Sequence, residues 1–149
     1  MHSVLSSESD HIVTTKPATL SDELVIFNVI GDIQLLALSS ECYTANNSVL
    51  TKVQYGTTSA TGISDTFTGT SASVANAIIG TCIALDNTTL NSAPTVNSSG
   101  ISLGIDSRGI RIPSGVIKLM VSGGSSIGLW KHYIRYEPLE LGAYITSAI

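Results

Sequence analysis

The strongest constraint on this chain is strict alternation near its C-terminus. From Val116 to Ser122, Ile117, Leu119 and Val121 take one side while Lys118 and Met120 take the other. From Ile127 to Tyr136 the pattern returns: Trp130, His132, Ile134 and Tyr136 share one face, and Leu129, Lys131, Tyr133 and Arg135 share the opposite one. A period of two belongs to strands with one buried face. Gly123-Gly124-Ser125-Ser126 between the two runs tolerates positive φ and predicts a hairpin turn. Pro138 ends the second strand because it lacks an N–H for the ladder.

The rest of the chain repeats this texture. Leu24–Ile30 is a β-branched run of strand length, broken by Gly31-Asp32 and resumed over Ile33–Leu38. The break reads as a tight turn or a bulge. Val49–Tyr55 is the next strand, followed by a Thr/Ser/Gly stretch with a weak strand around Ser64–Thr68. Ser73–Leu85 places Val74, Ala77, Ile78 and Ile79 at helix-like spacing. Gly80 and the β-branched Thr81 and Ile83 argue instead for a turn into a strand at Thr81–Leu85. Asp86–Ser99 reads as a polar loop. Ile101–Ile105 is short and apolar, Asp106–Gly109 is a turn, Ile110–Ile112 is a short strand, and Pro113-Ser114-Gly115 is another turn. Ala143–Thr146 adds a last strand. About eight short strands with no βαβ rhythm predict an all-β, antiparallel β-sandwich or jelly-roll-like barrel over residues 24–149. Residues 1–23, polar and carrying Pro17, read as an extended N-terminal arm whose β-like patch is His11–Thr15.

With 149 residues the chain makes one domain with a real core. Charged residues are only 12% of it, about half the usual share, and Ser and Thr supply roughly a quarter. Such surfaces are typical of extracellular and virion β-proteins. The net charge is −4 and the seven Lys and Arg are scattered, so no basic patch is offered to nucleic acid. No apolar run approaches the about 18 residues of a membrane span. The first ten residues have neither the basic start nor the apolar centre of a signal peptide. Cys42 and Cys82 read as buried free thiols, since Cys is among the most buried residue types and no second Cys or His sits at metal-ligand spacing.

One catalytic motif matches formally: Gly124-Ser125-Ser126-Ile127-Gly128 fits G-x-S-x-G. A nucleophile elbow needs a following helix, then an acid and a His in order. Here a strand follows, and no acid lies between Ser126 and His132. The turn reading therefore prevails. His2, His11 and His132 are far apart in sequence, and His132, in an alternating strand, reads as a packed or interface histidine rather than a general base. The carboxylates mostly neighbour Gly, Ser or Asn, where turn capping and solvation account for them. No calcium loop is present. Three N-x-S/T sequons, at Asn46, Asn87 and Asn97, mark exposed loops. No catalytic, cofactor or metal residue is expected.

The stretch Val116-Ile117-Lys118-Leu119, Gly128-Leu129-Trp130-Lys131-His132-Tyr133-Ile134-Arg135-Tyr136-Glu137-Pro138-Leu139 and Gly142-Ala143-Tyr144-Ile145-Thr146 resembles the C-terminal end of small tailed-bacteriophage capsid decoration, or cement, proteins. Their Gly-rich turn, Trp-containing strand, Tyr-x-Pro-Leu corner and Gly-Ala ending are matched, and Leu24–Ala37 looks like their opening. Tyr144 departs from the pattern, where a smaller residue is common. The resemblance implies a jelly-roll-like structural virion protein. It would bind the outer face of the phage head as a homotrimer, with the major capsid protein and its own copies as partners. The alternative is a trimeric fibre module that binds a host receptor or glycan. The residues expected to form the subunit or capsid interface are Lys131, Tyr133, Arg135 and Tyr144, with His11, Ile12 and Val13 of the arm. On this reading a chain lacking residues 1–20 stays folded and trimeric but binds the shell less well.

Overall fold

The computed structural model describes residues 11–85, 91–98, 110–123 and 127–149. The sequence readings at Met1–Asp10, Asp86–Leu90, the Asn87 sequon, Ile101–Ile105, the Asp106–Gly109 turn and Gly124-Ser125-Ser126 lie outside these residues. Among the described residues there are twelve strands and no helix. They are β1 (His11–Thr14), β2 (Ala18–Thr19), β3 (Glu23–Ile30), β4 (Ile33–Thr44), β5 (Thr51–Ser59), β6 (Ser64–Thr66), β7 (Cys82–Leu85), β8 (Thr95–Asn97), β9 (Ile110–Ile112), β10 (Gly115–Gly123), β11 (Leu129–Pro138) and β12 (Tyr144–Ser147). One sheet runs β1-β11-β4-β7-β8, with β2 added to β11 and β9 to β4. The other runs β12-β3-β10-β5-β6. The all-β sandwich expected from the alternation is the observed fold.

The winding is that of a jelly roll. The chain passes from β1 in the first sheet to β3 in the second, back to β4, across to β5 and β6, back to β7, across to β10, back to β11 and finally to β12 in the second sheet. Most neighbours in each sheet are thus remote in sequence, the pairs β5–β6 and β7–β8 being consecutive, and every pairing is antiparallel. This interleaves two Greek keys.

That winding corrects the hairpin expected at residues 116–136. β10 lies between β3 and β5, whereas β11 lies between β1 and β4 in the other sheet. The two strands therefore belong to opposite sheets and do not pair with each other. Glycine permits a tight reversal without demanding one. Both strands carry an apolar face, and stacking those faces across the sandwich buries them more fully than side-by-side pairing could. Gly31-Asp32 is likewise a corner between sheets, because β3 and β4 do not pair. Gly31 has φ 76°, and a Cβ built there would sit 2.8 Å from the Ala143 Cβ, so this corner needs glycine.

The core combines the inward faces of both sheets. Trp130, His132 and Ile134 on β11 are fully buried, as are Ile33, Leu35 and Cys42 on β4. Ile26, Phe27, Val53, Tyr55, Ile117 and Leu119 face them from the second sheet. Lys118, on the outer side of β10, is also buried and its Nζ lies 2.9 Å from Glu23 Oε1. At the far end of β11 the Ile145 N–H donates to Tyr136 Oη at 3.1 Å, clamping β12 to the corner after Pro138.

Residues 11–20, read from the sequence as part of an arm, join the first sheet. His11–Thr14 pairs with Tyr133–Tyr136 of the same chain, and Ala18–Thr19 pairs with Leu129–Trp130. Thr15 exchanges two hydrogen bonds with the His132 backbone, at 2.9 and 3.0 Å, and both Thr15 and Leu20 are buried. The alternation of β11 demanded a partner on this edge, and the nearest unpaired segment is the chain's own. Deleting residues 1–20 is therefore expected to destabilise the domain, contrary to the expectation from sequence. Loss of Leu20 burial and the Thr15 bonds alone comes to roughly 3 kcal/mol. A thermal melt should show a midpoint about 10 °C lower; an unshifted midpoint would return residues 11–20 to the status of an arm.

Candidate functional site

Three places on the molecule concentrate polar chemistry or unpartnered surface. The first is interior. Ser40 on β4 and His132 on β11 are cross-strand partners, and Tyr55 on β5 faces them from the other sheet. Ser40 Oγ lies 2.7 Å from Tyr55 Oη and 2.7 Å from His132 Nδ1. The distances fit a proton chain in either direction: Tyr55 donating to Ser40 and Ser40 to Nδ1, with the imidazole as the Nε2–H tautomer, or Nδ1–H donating to Ser40 and Ser40 to Tyr55. Nε2 has no hydrogen-bond partner among the described residues. Burial pushes the Tyr55 hydroxyl far above its ordinary value, against the opposing pull of Ser40. Burial alone lowers the His132 imidazole from 6.5 to about 4.

A Tyr-Ser-His chain has the outline of a proton relay, but no substrate can reach it. Tyr55 and His132 are 0% exposed and Ser40 1%. The three side chains instead fasten one sheet to the other. A second polar anchor lies nearby: Trp130 Nε1 donates to Asn46 Oδ1 at 3.1 Å, and Asn46 Nδ2 donates to the Val74 carbonyl at 2.9 Å.

The second place is the outer face of the first sheet. Cross-strand register sets Lys131 beside Glu41, Tyr133 beside Ser39 and Arg135 beside Ala37. β1 adds Thr14 beside Tyr133 and Ile12 beside Arg135, and β7 adds Cys82 beside Glu41. Ser39, Glu41, Tyr43, Gly80, Cys82, Lys131 and Tyr133 line a depression of about 380 Å³. Lys131 Nζ stands 5.5 Å from the centre of the Tyr43 ring.

Of the residues expected at an interface, Lys131, Tyr133, Arg135 and Ile12 share this face. His11 and Val13 do not. They alternate with Ile12, so Val13 packs against the core and His11 stacks on Tyr136 with ring centroids 5.4 Å apart. Tyr144 sits on β12 in the other sheet, 48% exposed. The two cysteines are free, as expected. Only Cys42 is buried; Cys82 is partly exposed on the outer face. Desolvation raises the Cys42 thiol, with backbone hydrogen bonding at Asn46 pulling the other way.

The third place is one end of the sandwich, where the β4–β5 link, the segment before β7 and the β10–β11 link meet. Asn46 N–H donates to the Ala77 carbonyl at 3.0 Å and Asn76 N–H to the Asn47 carbonyl at 2.7 Å. Gly128 packs against Asn46 and Thr44, and Gly123 against the Leu50 carbonyl. Five large aliphatic side chains project here: Val49, Leu50, Ile78, Ile79 and Ile127, the last two each 69% exposed. Residues 45–50, 70–80 and 123–128 contain no charged side chain. Beside Ile78 is a hollow of about 240 Å³ lined in part by Val74, Ala77, Thr81 and Val96. This surface was missed in the sequence because Val49-Leu50 and Ile78-Ile79 read as strand or stripe residues. Their signal was a doublet of large aliphatics set directly against turn-forming residues.

Among the described residues, no three His, Cys, Asp or Glu side chains gather to hold a metal ion. No family model matches the chain, and no curated protein matches it. Among solved structures the chain is similar to one in "Structure of infectious bursal disease virus Gx strain", at 12% identity and a TM-score of 0.27. That match covers 91% of this chain and 35% of the other, so the chain spans about a third of its length. At that score the likeness fixes neither fold nor function.

Ser40→Ala should leave Tyr55 Oη and His132 Nδ1 buried without partners and cost roughly 2–4 kcal/mol in urea unfolding. A change under about 0.5 kcal/mol would show that the triad does not fasten the sheets. The His132 shift also sets a pH dependence. Between pH 6.5 and about 4 the unfolded chain takes up a proton that the folded chain refuses. Stability should be fully present above pH 6.5 and fall as the pH drops, by on the order of 3 kcal/mol at pH 4. Urea midpoints measured across this range should fall in the native chain and flatten in His132→Gln; equal slopes in the two would remove His132 as the cause.

Proposed function

We propose that this chain is a structural virion protein that binds the outer surface of a phage head as a homotrimer and stabilises the shell. The observation that carries the reading is the uncharged aliphatic end of the sandwich. Soluble domains seldom leave several large aliphatics together in water, and such a patch marks a contact surface. No charge has to be desolvated when it is covered. The hollow beside Ile78 suits a protruding apolar side chain of the shell.

The sheet edges support the same mode of attachment. β6 and β8 have three residues each, and β1 and β12 four. Edges this short disfavour strand addition, which leaves the ends and faces for contact. A cement gains its strength from many modest contacts repeated by symmetry, which suits a Ser/Thr-rich, charge-poor domain.

The test is a binding assay on heads assembled without this protein. Leu50→Ser with Ile79→Ser replaces two exposed side chains, so the circular dichroism and melting point should hold. Occupancy per head should drop at least about tenfold, since each buried aliphatic is worth roughly 1.5–3 kcal/mol. Full occupancy by the folded double variant would refute attachment through this end.

A further inference from the structure

We infer that the depression on the outer face of the first sheet is a subsite for one ring of a neutral, hydroxyl-rich sugar. The inference stands apart from the shell reading, because it concerns a different surface. The depression lies across β4, β7 and β11, so its walls are set by strand register and are rigid. Its volume of about 380 Å³ lies at the small end of the range for ligand sites.

The lining chooses the ligand class. Tyr133 is partly exposed, and a tyrosine face attracts the weakly positive C–H edges of a sugar ring, whereas the Tyr43 ring already has Lys131 standing over it. Ser39 offers a donor and acceptor, Glu41 an acceptor and Lys131 a donor, the mixed set that vicinal hydroxyls require. Among the described residues, none of Ser39, Glu41, Tyr43 and Tyr133 engages its side chain in a hydrogen bond. Glu41 and Lys131 cancel in charge, which favours neither an anion nor a cation. A quaternary ammonium is further excluded because Lys131 already stands over the Tyr43 ring. A single open subsite binds weakly, in the millimolar range, and gains strength only when many copies are presented together.

The experiment titrates the isotope-labelled full chain, followed by amide NMR, with methyl β-glucoside, methyl β-galactoside, N-acetylglucosamine and cellobiose. Acetate and choline serve as controls. At least one sugar should give saturable shifts centred on Ser39, Glu41, Tyr43, Lys131 and Tyr133, and neither control should. Tyr133→Ala should weaken that sugar at least about tenfold, whereas Tyr133→Phe, which keeps the ring face, should weaken it by less than about threefold. An unchanged spectrum away from the depression certifies that each variant is folded. The inference is overturned if none of the four sugars gives saturable shifts there at about 100 mM. It is equally overturned if choline or acetate binds as well as the sugars, or if Tyr133→Phe loses as much as Tyr133→Ala.

Discussion

The pairing of β4 with β11 is the constraint on which the rest of this structure depends. It runs from Ile33–Pro138 at one end to Thr44–Leu129 at the other and forms the middle of the first sheet. β4 and β11 are separated by most of the chain, so nothing local holds them together. The pairing survives because its inward side carries Leu35, Leu38, Cys42, Trp130, Ile134 and Tyr136, all buried. Its one polar pair, Ser40 and His132, joins through Ser40 Oγ to His132 Nδ1 and reaches across to Tyr55, leaving Nε2 as the one atom of the pair without a partner among the described residues. A polar group sealed in such a core is tolerated only when its hydrogen bonds are made, and here making them requires the second sheet at the right distance. Register within one sheet and the spacing between sheets are thereby coupled.

The same pairing organises the surface. With Ser40 and His132 turned inward, alternation turns Ser39, Glu41, Lys131 and Tyr133 outward in a single patch. The depression on the outer face and the fastening inside are thus two sides of one ladder. The end of the sandwich follows another rule. Its loops have no inward face, and Val49, Leu50, Ile78, Ile79 and Ile127 reach solvent because the polar anchors Asn46 and Trp130 hold the backbone beneath them.

Much of the fold was legible along the chain. The runs at Leu24–Ile30, Ile33–Leu38, Val116–Ser122 and Ile127–Tyr136 are strands close to where alternation and β-branching placed them. The burial of Trp130, His132, Ile134 and Tyr136 followed from the same period. The site was legible only in part. Lys131, Tyr133 and Arg135 share a face because they are two residues apart on one strand. Grouping Tyr144 with them failed because the corner after Pro138 carries the chain into the other sheet. Grouping His11 and Val13 with Ile12 failed because neighbouring residues on a strand point to opposite sides.

The sequence by itself determined that this protein is built of strands, which face of each is apolar, and where the chain must bend. Those properties depend on side-chain period and on glycine and proline, and both act over a few residues. Only the tertiary structure decided which strands are neighbours: that residues 116–136 span two sheets rather than form a hairpin, that residues 11–20 complete the sheet, and that Ser40, Tyr55 and His132 meet. Glycine-rich links accept a reversal within a sheet and a crossing between sheets at similar local cost. The choice falls to the burial of both apolar faces at once, a property of the whole chain that no short window contains.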